Sequence, residues 1–161
     1  MAELDQEALR AVQDFEDADD DELYRELGLR VSALERNPEI AAQFAPPREL
    51  LEPKGMALGD MIQVGRAAFS KISKAGYSLI CSGMQGGKFD DFIASLGSNR
   101  VAATAMLSGI LMTNLGIAAV LAPMVAALVI GKIMPPTVEA LCSGWARKAG
   151  MAEAQPAAPS A

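Results

Sequence analysis

The sequence contains no histidine, and aromatic residues make up only 5% of its 161 positions. Histidine is the side chain that most often acts as a general base near neutral pH and as a ligand for transition metals. Its absence excludes Ser-His and Cys-His catalysis. We therefore expect that the protein is not an enzyme and that it holds no metal or other cofactor.

Two segments match the motif of a ligand-binding loop only in part. The segment SGMQGGKF begins at Ser82, where a phosphate-binding loop needs glycine, and it ends at Phe89, where that loop needs Ser or Thr. The acidic segment that begins at Asp17 has Glu22 at the glycine position of a calcium loop and Gly28 at the position of its bidentate glutamate. Both segments are therefore predicted to be ordinary turns.

Charge is unevenly distributed along the chain. Residues 1–60 contain 16 acidic and 6 basic residues, whereas residues 61–161 contain 4 acidic and 8 basic residues. An acidic front half argues against nucleic-acid binding, which needs a clustered positive surface. A basic and apolar rear half is compatible with an anionic membrane surface. The first 25 residues are acidic and lack the apolar core of a secretory signal, so we expect a cytoplasmic protein.

Apolar residues recur at helical spacing through most of the chain, and no segment shows the alternation of a strand. This pattern predicts an all-α bundle of about seven helices around a hydrophobic helical hairpin at about 100–133. Composition divides the chain into an acidic helical region at 1–52, a region of amphipathic helices plus the hairpin at 53–150, and a disordered Ala/Pro-rich tail at 151–161.

The hairpin prediction comes from 31 consecutive uncharged residues between Arg100 and Lys132. A single helix of that length would extend about 46 Å, well beyond the roughly 30 Å hydrocarbon core of a bilayer. Asn114, Leu115 and Gly116 form the natural break, and a turn there would leave both flanking cations on one side of a membrane. The run could equally be the buried centre of a soluble bundle.

The predicted site has two groups of residues. The residues predicted to insert into a membrane as the hairpin are Leu111, Asn114, Gly116, Val120, Leu121, Pro123, Val125 and Leu128. The cations predicted to contact lipid headgroups are Arg66, Lys71, Lys74, Arg100 and Lys132. Gly109 is also predicted to shape the hairpin, because small residues let helices approach closely.

These features favour a toxin-like effector that perturbs membranes or forms pores by inserting the hairpin at the inner or plasma membrane. Its predicted partners are the lipid bilayer and further copies of itself. The layout over about 56–150 is similar to the general plan of colicin-type pore-forming domains. The alternative is a soluble all-α interaction protein of the adaptor, immunity or cargo type, in which the hairpin is core and the acidic N-terminal region binds a protein partner. A membrane anchor that holds a partner through residues 1–52 is a third possibility.

Cysteine is nearly absent as well, with Cys81 and Cys142 as its two instances. In a cytosolic protein such residues are usually packed free thiols. We therefore expect no structural disulfide, with a redox-active or lipid-modified pair as the alternative.

Overall fold

The computed structural model describes residues 2–52, 58–82, 86–131 and 134–150. In these residues it contains eight α-helices, one 3₁₀ turn and no strand, which confirms the all-α prediction. The helices are α1 (Ala2–Asp14), α2 (Asp20–Arg36), α3 (Arg48–Leu51), α4 (Leu58–Cys81), α5 (Gly87–Ser95), α6 (Arg100–Leu115), α7 (Ala122–Ile130) and α8 (Val138–Lys148), and the 3₁₀ turn is Pro38–Ala42. The tail predicted to be disordered, 151–161, lies outside the described residues.

Three helices begin at side chains that accept a hydrogen bond from the first turn. Asp19 caps α2 in a capping box, accepting from the Glu22 amide at 2.9 Å while the Glu22 carboxylate accepts from the Asp19 amide at 3.2 Å. Asn99 caps α6 by accepting from the Ala102 amide, and Thr137 caps α8 by accepting from the Ala140 amide.

Helices α2 and α4 pack backbone against backbone. A methyl group at Gly28 would overlap the carbonyl of Met61, and one at Gly65 would overlap the carbonyl of Tyr24. Only glycine leaves room for this approach. The contact fixes the longest amphipathic helix, α4, against the acidic helix α2.

Helix α7 lies at the centre of the bundle. It packs against α1, α2, α6 and α8, and eight of its nine residues are buried. A helix that is apolar on all sides is expected in the interior of a fold. Aromatic side chains from the surrounding helices complete the core, including Phe69, Phe92 and Trp145.

The expectation of free thiols is wrong, because Cys81 and Cys142 form a disulfide. Cys81 is the last residue of α4 and Cys142 lies in α8, and their Cα atoms are 6.0 Å apart. The sequence argument relied on the usual state of cytosolic cysteine and contained no information on distance. The packing of α8 against α4 supplies that proximity.

Candidate functional site: the buried hairpin and its two ends

Helices α6 and α7 form the predicted hairpin. Helix α6 ends at Leu115, and Gly116 follows with a left-handed φ of 68°, a conformation that favours glycine. Residues 116–121 connect the two helices. The guanidinium of Arg100, at the start of α6, donates to the carbonyl of Gly131, just after α7, at 3.5 Å, so the helices are antiparallel. We call the end at 116–121 the link end and the end at Arg100 and Gly131 the open end.

Most of the residues predicted to insert into a membrane are buried in the protein. Four of them have no exposed surface, namely Leu111, Val120, Val125 and Leu128. Pro123 is buried in the first turn of α7, where its missing N–H leaves no bond unmade, so it starts the helix and does not kink it. Leu121 is half-buried, while Asn114 and Gly116 are exposed near the turn.

Within the described ranges, no helix combines the length and the apolar character that a membrane crossing requires. Helix α6 spans 16 residues and α7 spans nine. The 31-residue run is therefore divided by the link into two shorter helices.

A buried arginine holds the link end. Arg30 of α2 donates from Nη1 to the carbonyl of Phe44 at 2.6 Å and to the carbonyl of Val120 at 3.0 Å. Its Nε donates to the Glu26 carboxylate at 2.9 Å, and the guanidinium lies 5.7 Å from the ring centre of Phe15. Arg30 is only 2% exposed. One side chain thus joins α2, the segment after the 3₁₀ turn and the link.

Two effects act in opposite directions on the pKa of Arg30. Burial lowers the pKa of the Arg30 guanidinium from its ordinary value, and the neighbouring Glu26 carboxylate raises it. Glu26 is itself buried and also accepts from Arg48, whose side chain is largely exposed, at 2.8 Å. The backbone adds a further tie, since the Val120 amide donates to the carbonyl of Ala41 at 3.1 Å. The link is therefore fixed by the N-terminal region of the chain.

Sequence reasoning missed Arg30 and Glu26. Four apolar residues recur at helical spacing along α2, namely Leu23, Leu27, Val31 and Leu34. Position 30 falls on the same stripe as the three leucines. A carboxylate four residues before it is the usual partner for an arginine on a helix. An arginine on an apolar stripe, with a carboxylate four residues before it, could have predicted the buried ion pair.

The open end is held by cations that contact the acidic segment at 16–22. Arg100 donates from Nη2 to the carbonyl of Glu16 at 2.6 Å, with the Glu16 carboxylate at 4.0 Å. Lys148 of α8 donates to the carbonyl of Leu128 at 2.7 Å, and its Nζ lies 3.3 Å from the Asp20 carboxylate. The carboxylates of Glu16 and Asp20 are half exposed, so water competes for these contacts.

The predicted headgroup cations occupy different environments. Arg66 pairs with Asp21 at 3.1 Å and lies 5.0 Å from the ring centre of Tyr24. Burial, followed by the nearby Asp20 carboxylate, raises the pKa of Tyr24 to about 12. Lys71 and Lys74 are exposed on α4, Arg100 binds the acidic segment as above, and Lys132 lies outside the described residues. None of these positions tests a contact with lipid.

A groove separates α1, α5 and α6 on the outer side of the hairpin. It encloses about 310 Å³, and its lining residues are Gln6, Leu9, Asp91, Ala102, Ala105, Met106 and Gly109. Met106 is 39% exposed and is the one large apolar side chain classed as exposed among the described residues. The floor of the groove is formed by Ala102, Ala105 and Gly109 of α6, whose small side chains leave the space above the helix unfilled.

Comparison with known proteins finds no match. No protein-family model, no curated protein and no solved structure matches this chain. The function must therefore be argued from the geometry of the chain itself.

Proposed function

We propose that this protein is an all-α interaction protein in which the uncharged hairpin is core and the surface around it binds a protein partner. The proposal assigns no catalytic step. The burial of α7 on all sides is the observation that supports it most strongly. Side chains that are already enclosed by protein have no need of lipid to remove them from water.

The contacts at the link end support the same proposal. If the hairpin left the bundle, the buried guanidinium of Arg30 would lose its hydrogen bond to the carbonyl of Val120, while its pairing with Glu26 within α2 would remain. A hydrogen bond from a charged donor contributes about 1.5–3 kcal/mol. A module that works with its hairpin in place avoids this loss.

Two aspartates introduced into the core test the proposal. In the Val120→Asp and Val125→Asp double variant, both buried valines become charged, so we expect the protein to unfold rather than to lose a membrane activity selectively. Circular dichroism and size-exclusion chromatography without detergent provide the readout. Aspartates at the exposed Ala67 and Ala75 of α4 are the matched control and should leave the fold intact.

A second candidate is the membrane-perturbing effector, acting as an oligomer at the inner or plasma membrane. It is favoured by α7, a helix without a polar face, and by the half-exposed contacts at the open end of the hairpin. In that case the fold is a storage form, and Arg66 and Arg100 exchange their carboxylate partners for lipid phosphates.

Vesicle experiments separate the two candidates. The folded wild-type protein is mixed with vesicles of phosphatidylcholine and phosphatidylglycerol, and flotation and dye release are measured. The interaction protein should remain unbound and release no dye. Dye release by the wild type would favour the membrane candidate and contradict the first proposal.

A further inference from the structure

The groove between α1, α5 and α6 has the shape of a docking site for a helix. Ala102, Ala105 and Gly109 lie on one face of α6 at spacings of three and four residues, and a side chain added at Gly109 would meet no atom within 4 Å. Such small residues allow a second helix to approach the backbone of α6. Exposed Met106 adds a flexible apolar side chain, which adapts to differently shaped partners.

The charge of the groove walls indicates the chemistry of the occupant. Among the described residues that line the groove, Asp91 of α5 is the one that carries a charge. On the opposite wall, Glu7 of α1 lies exposed next to the lining residue Gln6. A basic segment would be attracted to these walls, whereas an anionic membrane or the acidic surface of a second copy would be repelled.

We propose that this groove binds an amphipathic helix of a partner protein, with the apolar face of that helix on Met106 and Ala105 and lysine or arginine side chains toward Glu7 and Asp91. This is the helix-in-groove mode, in which apolar anchors three or four residues apart enter a hydrophobic cleft. The inference rests on the proposed function and names its binding surface and its class of partner.

A synthetic helix is the probe. We would use a fluorescein-labelled peptide of about 18 residues with leucines at helical spacing on one face and lysines on the other, and the same peptide with glutamate in place of lysine. Fluorescence anisotropy with the full-length protein should show saturable binding of the lysine peptide. The glutamate peptide should bind at least about tenfold more weakly, because its charges face carboxylates.

Filling the groove locates the binding site. Gly109→Leu places an apolar side chain on the groove floor, where an added Cβ atom meets no atom within 4 Å, and should weaken binding of the lysine peptide by at least about tenfold. Gly59→Leu is the matched control, because Gly59 lies exposed in α4, also with no atom within 4 Å of an added Cβ. It should change the affinity by less than about twofold. Thermal melts of both variants confirm that they are folded.

A local readout complements the affinity. With the methionine methyl groups labelled with carbon-13, the Met106 resonance, assigned through Met106→Leu, should shift on addition of the lysine peptide. The resonance of Met124, which is buried in α7, should stay in place. The inference is overturned if the peptide does not bind saturably, if Gly109→Leu and Gly59→Leu bind it equally, or if Met106 does not respond.

Vesicles of phosphatidylcholine and phosphatidylglycerol form the second arm. Vesicle binding that Gly109→Leu abolishes would identify the groove as a lipid surface and overturn the inference. The proposed function stands, and only the groove inference fails, under three combined results. The groove experiments give no binding, the protein does not bind vesicles, and the core double-aspartate variant unfolds. Dye release by the wild type overturns the proposed function itself, so the two failures are distinguishable.

Discussion

The two ends of the hairpin are held by different chemistry, although both are held by charged side chains. At the link end, Arg30 is buried and bonds two carbonyls and a buried carboxylate. At the open end, Arg100 and Lys148 bond backbone carbonyls but face half-exposed carboxylates of the acidic segment. The link end is therefore held by a buried cluster, whereas the open end is held by contacts that solvent reaches.

Burial determines how much each contact contributes. An exposed ion pair contributes about 0.2–1 kcal/mol because water and salt screen it, whereas removal of one partner from a buried pair costs about 3–5 kcal/mol. We expect mutations to rank by burial and not by the number of contacts. The buried Arg30 and the partly exposed Arg100 are the extremes of that ranking.

The largest effect is expected for Arg30→Ala. This change leaves Glu26 buried without its neighbouring partner and removes the donor to Val120, so the free energy of unfolding should fall by about 3–5 kcal/mol. Urea denaturation followed by circular dichroism measures it. Arg36→Ala, at the exposed end of the same helix, should cost less than about 1 kcal/mol. Equal losses in the two variants would remove the distinction between the two ends.

The disulfide is expected to rank second. It closes a sequence separation of 61 residues and ties α8, which carries Lys148, to α4. Replacement of Cys81 and Cys142 by serine should lower the free energy of unfolding by about 2–4 kcal/mol, since the unfolded chain regains conformational freedom. The melting temperature of the wild type should fall in dithiothreitol, and that of the double serine variant should not respond. A wild type indifferent to dithiothreitol would contradict this prediction.

Tyr24 of α2, beside Arg66 and the acidic segment, gives a pH test of the effect of burial. Its pKa rises from 10.0 to about 12 on folding, so the stabilisation is complete below pH 10 and is lost as the pH rises through 12. Between these values the free energy of unfolding should fall by about 1.4 kcal/mol per pH unit from this group. Tyr24→Phe should flatten that part of the curve. Urea denaturation at intervals from pH 9 to 12 tests it, and parallel curves for both proteins would refute it.

The smallest effect is expected for Arg100→Gln. Its contacts with Glu16 and Gly131 are partly exposed, so the free energy of unfolding should fall by about 0.5–1.5 kcal/mol. The difference from the wild type should diminish in about 0.5 M salt, because salt screens exposed charges. Thermal melts at low and high salt measure it. Lys74→Gln, at an exposed position of α4, is the control and should change little. A loss as large as that of Arg30→Ala would show that the open end is as firmly fixed as the link end.

Much of the architecture follows from local signals in the sequence. The helical content and the break of the uncharged run at Gly116 depend on residues close in sequence, and the structure confirms both. The contacts that organise the hairpin join distant residues, such as Arg30 to Val120, 90 positions apart. Helical periodicity reports which face is buried but does not report which element covers it.

The site was harder to predict than the fold for the same reason. Arg66 and Arg100 were assigned to lipid headgroups from their positions beside apolar segments, and the structure places carboxylates of the acidic segment next to them. The pairing of Arg66 follows from the packing of α2 against α4, and that of Arg100 from the position of Glu16 beside the start of α6. No local pattern encodes either arrangement. The disulfide was missed because the distance between α4 and α8 is likewise a tertiary property.

The glycine contact between α2 and α4 has a consequence for how the molecule opens. Because Gly28 and Gly65 bring the two backbones together, neither helix can slide or tilt past the other without breaking that contact. Helix α2 also bonds the link directly through Arg30, and its Asp20 pairs with Lys148, which donates to a carbonyl of α7 near the open end. Amide protons of α2 and α4 should therefore exchange with solvent as one cooperative unit, and any motion that uncovers α7 must carry two helices away together.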